Sequence, residues 1–177
     1  MSLVIFMASL APFVPTPREI VKKMLEIAHV SSDDVVFDLG CGDGRILITA
    51  IQDFGAKKAI GFEMREDLYK QALQEIRKQS LENRITIING DVFTSNLSEA
   101  TVITLYLTTS GNEKLKPKLS NETNPGTRIV SHDFEISGWY ASKREKFFGH
   151  AIYLYNVPEA HNVKVEKRSF LRKFLPL

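Results

Sequence analysis

The sequence has few of the residues that mark redox proteins and zinc proteins. It contains one cysteine, Cys41, so no disulfide can form within the chain and no cysteine cluster is present to hold zinc. Its four histidines show no short metal-ligand spacing, so the sequence predicts no metal site. Low cysteine content is compatible with a reducing compartment, and we expect a cytoplasmic location.

Charge and hydropathy limit the function classes further. The 23 Lys and Arg residues nearly balance the 21 Asp and Glu residues, and this net charge of +2 is smaller than a dedicated nucleic-acid binder usually carries. Composition therefore neither requires nor excludes a nucleic-acid partner. No apolar run reaches the ~20 residues of a membrane-spanning helix, so we expect no transmembrane segment.

The two ends of the chain differ from the rest. Residues 1–15 begin with an apolar stretch that lacks the positive region of a secretory signal, and we expect it to pack on the domain or to be poorly ordered. Residues 158–177 carry several lysines and arginines and are interpreted as a C-terminal extension. No linker or repeat divides the chain, so the sequence predicts one domain over residues 1–177, with a monomer favoured.

Predicted strands alternate with predicted helices along most of the chain. The strands are expected at residues 35–39, 58–63, 84–88, 101–107, 127–131 and 151–157. The helices are expected at residues 17–29, 45–54, 67–80 and 113–119, the first with Thr16 as its N-cap and Glu19 completing a capping box. This alternation predicts an α/β protein with a doubly wound sheet.

A glycine-rich turn connects the first strand to the following helix. It contains Asp38, Gly40, Cys41, Gly42 and Gly44. Glycines allow close approach of the backbone to a ligand, and the helix N-terminus offers free N–H groups to an anion. The dinucleotide fingerprint fails, because its last small position falls on an arginine. An acid followed by Gly-x-Gly-x-Gly instead fits S-adenosylmethionine, whose methionine end carries an ammonium and a sulfonium.

Further candidate residues follow the second and third strands. Glu63, with Met64 beside it, lies about 20 residues beyond the glycine turn, the spacing of a carboxylate that accepts from ribose hydroxyls. Asp91 is placed to accept from an adenine amino group, with Val92 and Phe93 against the ring. The predicted cofactor is therefore S-adenosylmethionine.

These residues resemble the class I S-adenosylmethionine-dependent methyltransferases over roughly residues 16–157. The resemblance implies a Rossmann-like, seven-stranded mixed sheet with one antiparallel strand near its edge. To reach seven strands, residues 144–148 and 151–157 would form the last two.

Four further segments carry a narrower resemblance, to the small archaeal protein-lysine methyltransferases related to the ATP-synthase c-subunit lysine methyltransferase family. The segments are residues 12–17, 105–119, 125–132 and 138–139. This resemblance implies protein substrates with accessible lysines, no metal, and cofactor contacts from Val14, Pro15 and Thr16. Phe13 stands where the family often has tyrosine.

Tyr106, at the end of the fourth predicted strand, is our candidate for the wall of the acceptor channel. An aromatic face attracts a lysine head group, although a tyrosine at a strand end often serves packing alone. The surrounding segment lacks the Asn- or Asp-Pro-Pro-aromatic turn of enzymes that methylate exocyclic amines. In-line displacement needs a neutral amine held against the sulfonium carbon, so the pocket must favour loss of the lysine proton.

Alternatives to a lysine methyltransferase remain open at this point. The cofactor residues are compatible with a methyltransferase acting on RNA or on a small metabolite, and with a non-catalytic S-adenosylmethionine-binding module. His132 and Asp133 could serve acid–base chemistry, but a capping or core-edge role is equally compatible with their position. Trp139 is interpreted as a packing anchor.

Overall fold

The computed structural model describes residues 12–161 of the chain. The predictions for the apolar start, up to residue 11, and for the basic end, from residue 162, lie outside the described residues. Within the described part, no helix has the length and apolar character needed to span a membrane.

One mixed sheet forms the centre of the molecule. Its strands are β1 (Val35–Leu39), β2 (Lys58–Glu63), β3 (Ile85–Asn89), β4 (Val102–Leu105), β5 (Arg128–His132), β6 (Lys143–Phe147) and β7 (His150–Asn156). The order is β3-β2-β1-β4-β5-β7-β6, in which β7 runs antiparallel to both of its neighbours and the first five strands are parallel. The predicted seven-stranded mixed sheet is confirmed, including the last two strands.

The predicted helices are present with modest changes at their ends. They are α1 (Arg18–Ile27), α2 (Arg45–Gln52), α3 (Glu66–Lys78) and α4 (Thr109–Glu122). The last is longer than predicted, because the Thr108 hydroxyl caps it by accepting from the Gly111 N–H and because it continues through Pro117. Short 3₁₀ helices occupy Val92–Thr94 and Glu159–His161.

Successive residues of each parallel strand point to opposite faces of the sheet. Val36 packs in a cluster with α1, α2 and α3, whereas its neighbour Phe37 packs in a second cluster with α4. Both faces are therefore covered, which confirms the Rossmann-like, doubly wound fold.

The predicted capping box at the start of α1 is wrong. Pro17 occupies the N-cap position and no side chain caps the helix. The Thr16 hydroxyl lies instead 3.3 Å from Nδ1 of His132, far along the sequence. The Thr16 hydroxyl, which the local pattern assigned to the helix end, is therefore used in a tertiary hydrogen bond.

Gly61, in the middle of β2, permits a close approach of other elements to the sheet. A Cβ at this position would lie 2.6 Å from Cys41 Sγ and 2.6 Å from Leu47 Cδ1. The turn after β1 and the first part of α2 therefore pack directly on the β2 backbone.

We predict that Gly61→Ala lowers the free energy of unfolding by about 1–3 kcal/mol, because an added methyl group must displace packed neighbours. Urea denaturation of the variant and the wild type measures the difference. Gly90→Ala is the matched control, since its Cβ would meet only Ile88 Cγ2, at 3.9 Å. Equal losses in both variants would contradict the packing argument.

Candidate functional site

A cleft opens where β1, β2 and β4 end, at the carboxyl edge of the parallel strands. Its empty space is about 820 Å³, part of it open to solvent. Open α/β sheets bind ligands at this edge. Most of the residues predicted from the sequence line it: Val14, Pro15, Thr16, Asp38, Gly40, Cys41, Gly42, Glu63, Met64, Val92 and Tyr106.

The glycine turn is anchored to the end of β2. The carbonyl oxygen of Phe62 accepts hydrogen bonds from the N–H groups of Gly40 and Cys41, at 2.9 and 3.0 Å. The next N–H, that of Gly42, donates to Glu63 Oε2 at 2.9 Å. Gly40 and Gly42 have φ values of 93° and 54°, a region that favours glycine.

The Glu63 carboxylate is fixed from both sides. Oε1 accepts from the Arg65 N–H at 2.8 Å, opposite the Gly42 bond to Oε2, and the side chain is almost fully buried. Each carboxylate oxygen can accept more than one hydrogen bond. Glu63 therefore keeps acceptor capacity toward the cleft while its position is held by backbone donors.

Asp38 is a buried acid at the centre of the cleft. Thr104 Oγ1 donates to its Oδ1 at 2.7 Å, and only 2% of the residue is exposed. The pKa of Asp38 is raised to about 7, chiefly by burial and to a smaller extent by the charges of Glu63 and Asp43, while the Thr104 hydrogen bond opposes the shift. No cation is paired with Asp38 among the described residues.

Residues 12–16, which we call the strap, cross one side of the cleft. The Phe13 ring lies directly over Gly42, where a Cβ would come within 2.4 Å of its Cε2 atom. The Arg45 guanidinium donates to the Thr16 carbonyl oxygen at 2.9 Å and pairs with Asp43 at 2.6 Å. Arg45 was not among the residues predicted from the sequence, although it directly follows the glycine turn.

Three predicted residues do not line the cleft. Gly44 occupies the N-cap of α2, with its Cβ position 3.4 Å from the Ala72 Cβ atom. Asp91 caps the short helix that follows β3, since its Oδ1 accepts from the Phe93 N–H at 3.0 Å. The Phe93 residue is 41% exposed. Their cofactor contacts remain predictions.

Tyr106 forms the cleft wall beyond β4. Its ring stacks on that of His132, with centroids 3.9 Å apart and planes inclined by 33°. Burial raises the pKa of the Tyr106 hydroxyl, with a smaller contribution from Asp133. Burial also lowers the pKa of His132 to about 4, so this imidazole is neutral at pH 7. Tyr106 thus presents a protonated phenol backed by a neutral ring.

Trp139 lies away from the cleft. Its ring centroid is 4.2 Å from that of His161 and 6.0 Å from that of Tyr155. The residue packs against the core cluster on the α4 face of the sheet. Trp139 is therefore a packing anchor, as its sequence context predicts.

The charges that line the cleft are unevenly paired. The acids are Asp38, Asp43 and Glu63, and the bases are Arg45 and Arg65. Arg65 pairs with Asp67 at 2.6 Å, as Arg45 does with Asp43. Both cations are therefore neutralised by carboxylates, while Asp38 and Glu63 have no cationic side chain as partner among the described residues.

Residues 38–143 match the ANTKMT methyltransferase domain family. Over 152 residues the chain is 51% identical to the protein-lysine N-methyltransferase of Saccharolobus islandicus, covering 84% of this chain and 94% of that protein. The adenine nucleotide translocase lysine N-methyltransferase of Mus musculus is 27% identical over 72% of this chain, which spans 55% of that protein.

A solved structure is also similar to this chain. It is that of an RNA methyltransferase from Salinibacter ruber in complex with S-adenosyl-L-homocysteine, with a TM-score of 0.80 and 42% identity. The match covers 82% of this chain and 95% of that one. The two similar proteins are thus described as acting on different acceptors.

We predict that Asp38→Asn becomes more stable relative to the wild type as the pH rises. The unfolded Asp38 ionises near pH 4 and the folded one near pH 7, so the folded wild type is progressively disfavoured across this window and no further above it. Asparagine does not titrate. Between pH 5 and pH 8 the difference should shift by about 2–3 kcal/mol in favour of the variant.

Urea denaturation of both proteins at pH 5, 6, 7 and 8 measures this shift. A stability difference that stays constant over the range would show that Asp38 is already ionised in the folded protein at pH 5.

Proposed function

This chain belongs to the ANTKMT methyltransferase family and is an S-adenosylmethionine-dependent methyltransferase, and from that premise we propose that it methylates lysine side chains of proteins. The described residues 12–161 would act as one methyltransferase domain. A cytoplasmic location and a monomeric state stay predictions.

The residues of the cleft fit the cofactor. Asp38 is a buried carboxylate without a cationic partner in the described part of the chain, and the methionine end of S-adenosylmethionine supplies an ammonium group. The N–H groups near the start of α2 would face the methionine carboxylate. Glu63 would accept from the ribose hydroxyls, and the strap residues Val14, Pro15 and Thr16 would close over the ligand.

We predict that Glu63→Gln weakens S-adenosylmethionine binding at least tenfold, because an amide cannot accept from both ribose hydroxyls and from both backbone donors. Isothermal titration calorimetry measures the dissociation constant. Glu66→Gln, on the exposed first turn of α3, is the control and should change it less than twofold. Wild-type affinity in a folded Glu63→Gln variant would show that the Glu63 carboxylate is not needed to bind the ribose.

The charge of the cleft supports a cationic acceptor. Its lining arginines are paired with carboxylates, whereas an RNA site needs free cations for phosphates. A lysine side chain would enter as a cation and needs no such partner, and the face of Tyr106 is a favourable neighbour for it. This observation carries the proposal, and the identity with the protein-lysine methyltransferase supports it.

The proposed reaction is a direct in-line displacement. S-adenosylmethionine, when bound, supplies the methyl group on its sulfonium. The chain must orient the lysine nitrogen and favour its neutral form before attack. Tyr106 would hold the alkyl stem and the nitrogen along its face, and the apolar wall around it would disfavour the charged ammonium. The new nitrogen–carbon bond forms as the sulfur–carbon bond breaks, and the proton leaves to solvent.

Methylation of RNA is the second candidate function. It is favoured by the 42% identity to the Salinibacter ruber protein. The pairing of the cleft arginines counts against it. The segment at the end of β4 also counts against it, because it runs Leu105, Tyr106, Leu107 and Thr108 without the turn typical of exocyclic-amine methyltransferases.

Incubation of the purified chain with methyl-labelled S-adenosylmethionine and a cell extract tests the two functions directly. We expect label that is released by protease, resists nuclease, and is assigned to lysine by mass spectrometry. Label in RNA alone would overturn the lysine proposal and leave the cofactor assignment intact. No label, with cofactor binding retained, would favour a non-catalytic binding module.

Variants of Tyr106 tie the label to this cleft. Tyr106→Phe keeps the aromatic face and should retain most of the lysine label, whereas Tyr106→Ala should reduce its rate of incorporation at least tenfold at saturating cofactor. The cofactor dissociation constant, measured separately, should change little in either variant. Full activity of Tyr106→Ala would show that the Tyr106 side chain does not contribute to the acceptor site.

A further inference from the structure

We propose that His132, Asp133 and His150 form a binding site for a divalent transition-metal ion such as Zn²⁺, at the end of β5 and beside the cleft. This inference is independent of the acceptor class. It revises the sequence-based expectation of no metal, which rested on the single cysteine, on the absence of short histidine spacing and on the family resemblance.

The three ligand atoms already lie close together. His132 Nε2 is 2.9 Å from His150 Nδ1 and 3.3 Å from Asp133 Oδ2, and His150 Nδ1 is 2.9 Å from that same oxygen. A tetrahedral zinc with ligand bonds of about 2.0–2.1 Å holds its ligand atoms about 3.3 Å apart. The arrangement therefore matches one face of a tetrahedron after shifts of a few tenths of an ångström.

Two of the ligands are oriented by other groups. Nδ1 of His132 lies 3.3 Å from the Thr16 hydroxyl, so a proton on Nδ1 leaves the Nε2 lone pair directed at the cluster. Asp133 Oδ1 accepts from the Ala151 N–H at 2.9 Å, which leaves Oδ2 for the ion. Such outer hydrogen bonds are typical of metal-binding histidines and carboxylates.

The backbone explains how residues distant in sequence converge. β5 and β7 run antiparallel, with His132 opposite Ile152, so the end of one strand meets the start of the other. Asp133 adopts a left-handed conformation with φ of 59°, and its N–H donates to the Ala151 carbonyl oxygen at 2.7 Å. This turn directs the carboxylate toward the two imidazoles.

The cluster has access to solvent on one side. The His132 side chain is fully buried, but those of Asp133 and His150 are 28% and 31% exposed. A water molecule could therefore complete the coordination. An ion there would tie β5 to β7 and hold His132 against Tyr106, so it would stiffen the cleft wall without touching the cofactor residues.

Metal titration of the untagged, chelator-treated chain tests the proposal. With Zn²⁺ in the calorimeter we expect one equivalent to bind with a dissociation constant in the micromolar range or tighter. Co²⁺ should bind in the same place and give the visible absorption of a four-coordinate site, which Zn²⁺ then abolishes.

Variants separate this site from adventitious surface binding. His150→Gln and Asp133→Asn should each weaken Zn²⁺ binding at least tenfold, whereas the exposed His29→Gln should leave it unchanged. Thermal unfolding without metal confirms that each variant is folded. Absence of saturable binding, or equal binding by wild type and His150→Gln, would overturn the proposal and leave the three side chains as a hydrogen-bonded cluster.

Discussion

The anchoring of the glycine turn to the end of β2 is the constraint on which the cleft depends. The Phe62 carbonyl and the Glu63 carboxylate together accept the N–H groups of Gly40, Cys41 and Gly42. This contact is possible because Gly61 presents no side chain to Cys41. The position of the ligand edge is therefore a consequence of core packing between β1 and β2, and a change inside the sheet would move the cleft.

The same packing raises the pKa of Asp38 to about 7, close to neutral pH. Burial of its side chain on β1, which lies between β2 and β4, disfavours the charge, and the hydroxyl of Thr104 offsets only part of that effect. A cationic ligand would stabilise the charged carboxylate and remove the remaining cost of burying it. Without a ligand, that cost lowers the stability of the folded protein at the position where binding requires a charge. Perturbed acids in clefts are common at functional sites for this reason.

The sequence predicted what is encoded locally and failed where distant segments meet. Strand and helix positions follow from the spacing of apolar residues, and the glycine turn was recognisable because it lies between such elements. Thr16 was misassigned because its hydroxyl partner, His132, is separated from it by 116 positions. Asp91 and Phe93 were placed correctly after β3, but the chain turns there into a 3₁₀ helix that uses the Asp91 carboxylate as its cap. The convergence of His132 with His150 depends on antiparallel pairing that periodicity does not reveal.

The residues that determine the acceptor must lie outside the sheet, because similar chains with this fold are described as acting on protein and on RNA. Among the described residues that line the cleft, both arginines are already paired with carboxylates, so a phosphate would find no free cationic side chain there. A lysine needs no such cation, and the aromatic face of Tyr106 is a favourable neighbour for its head group. The difference between the two acceptors therefore lies in the side chains of the cleft and needs no change in the fold.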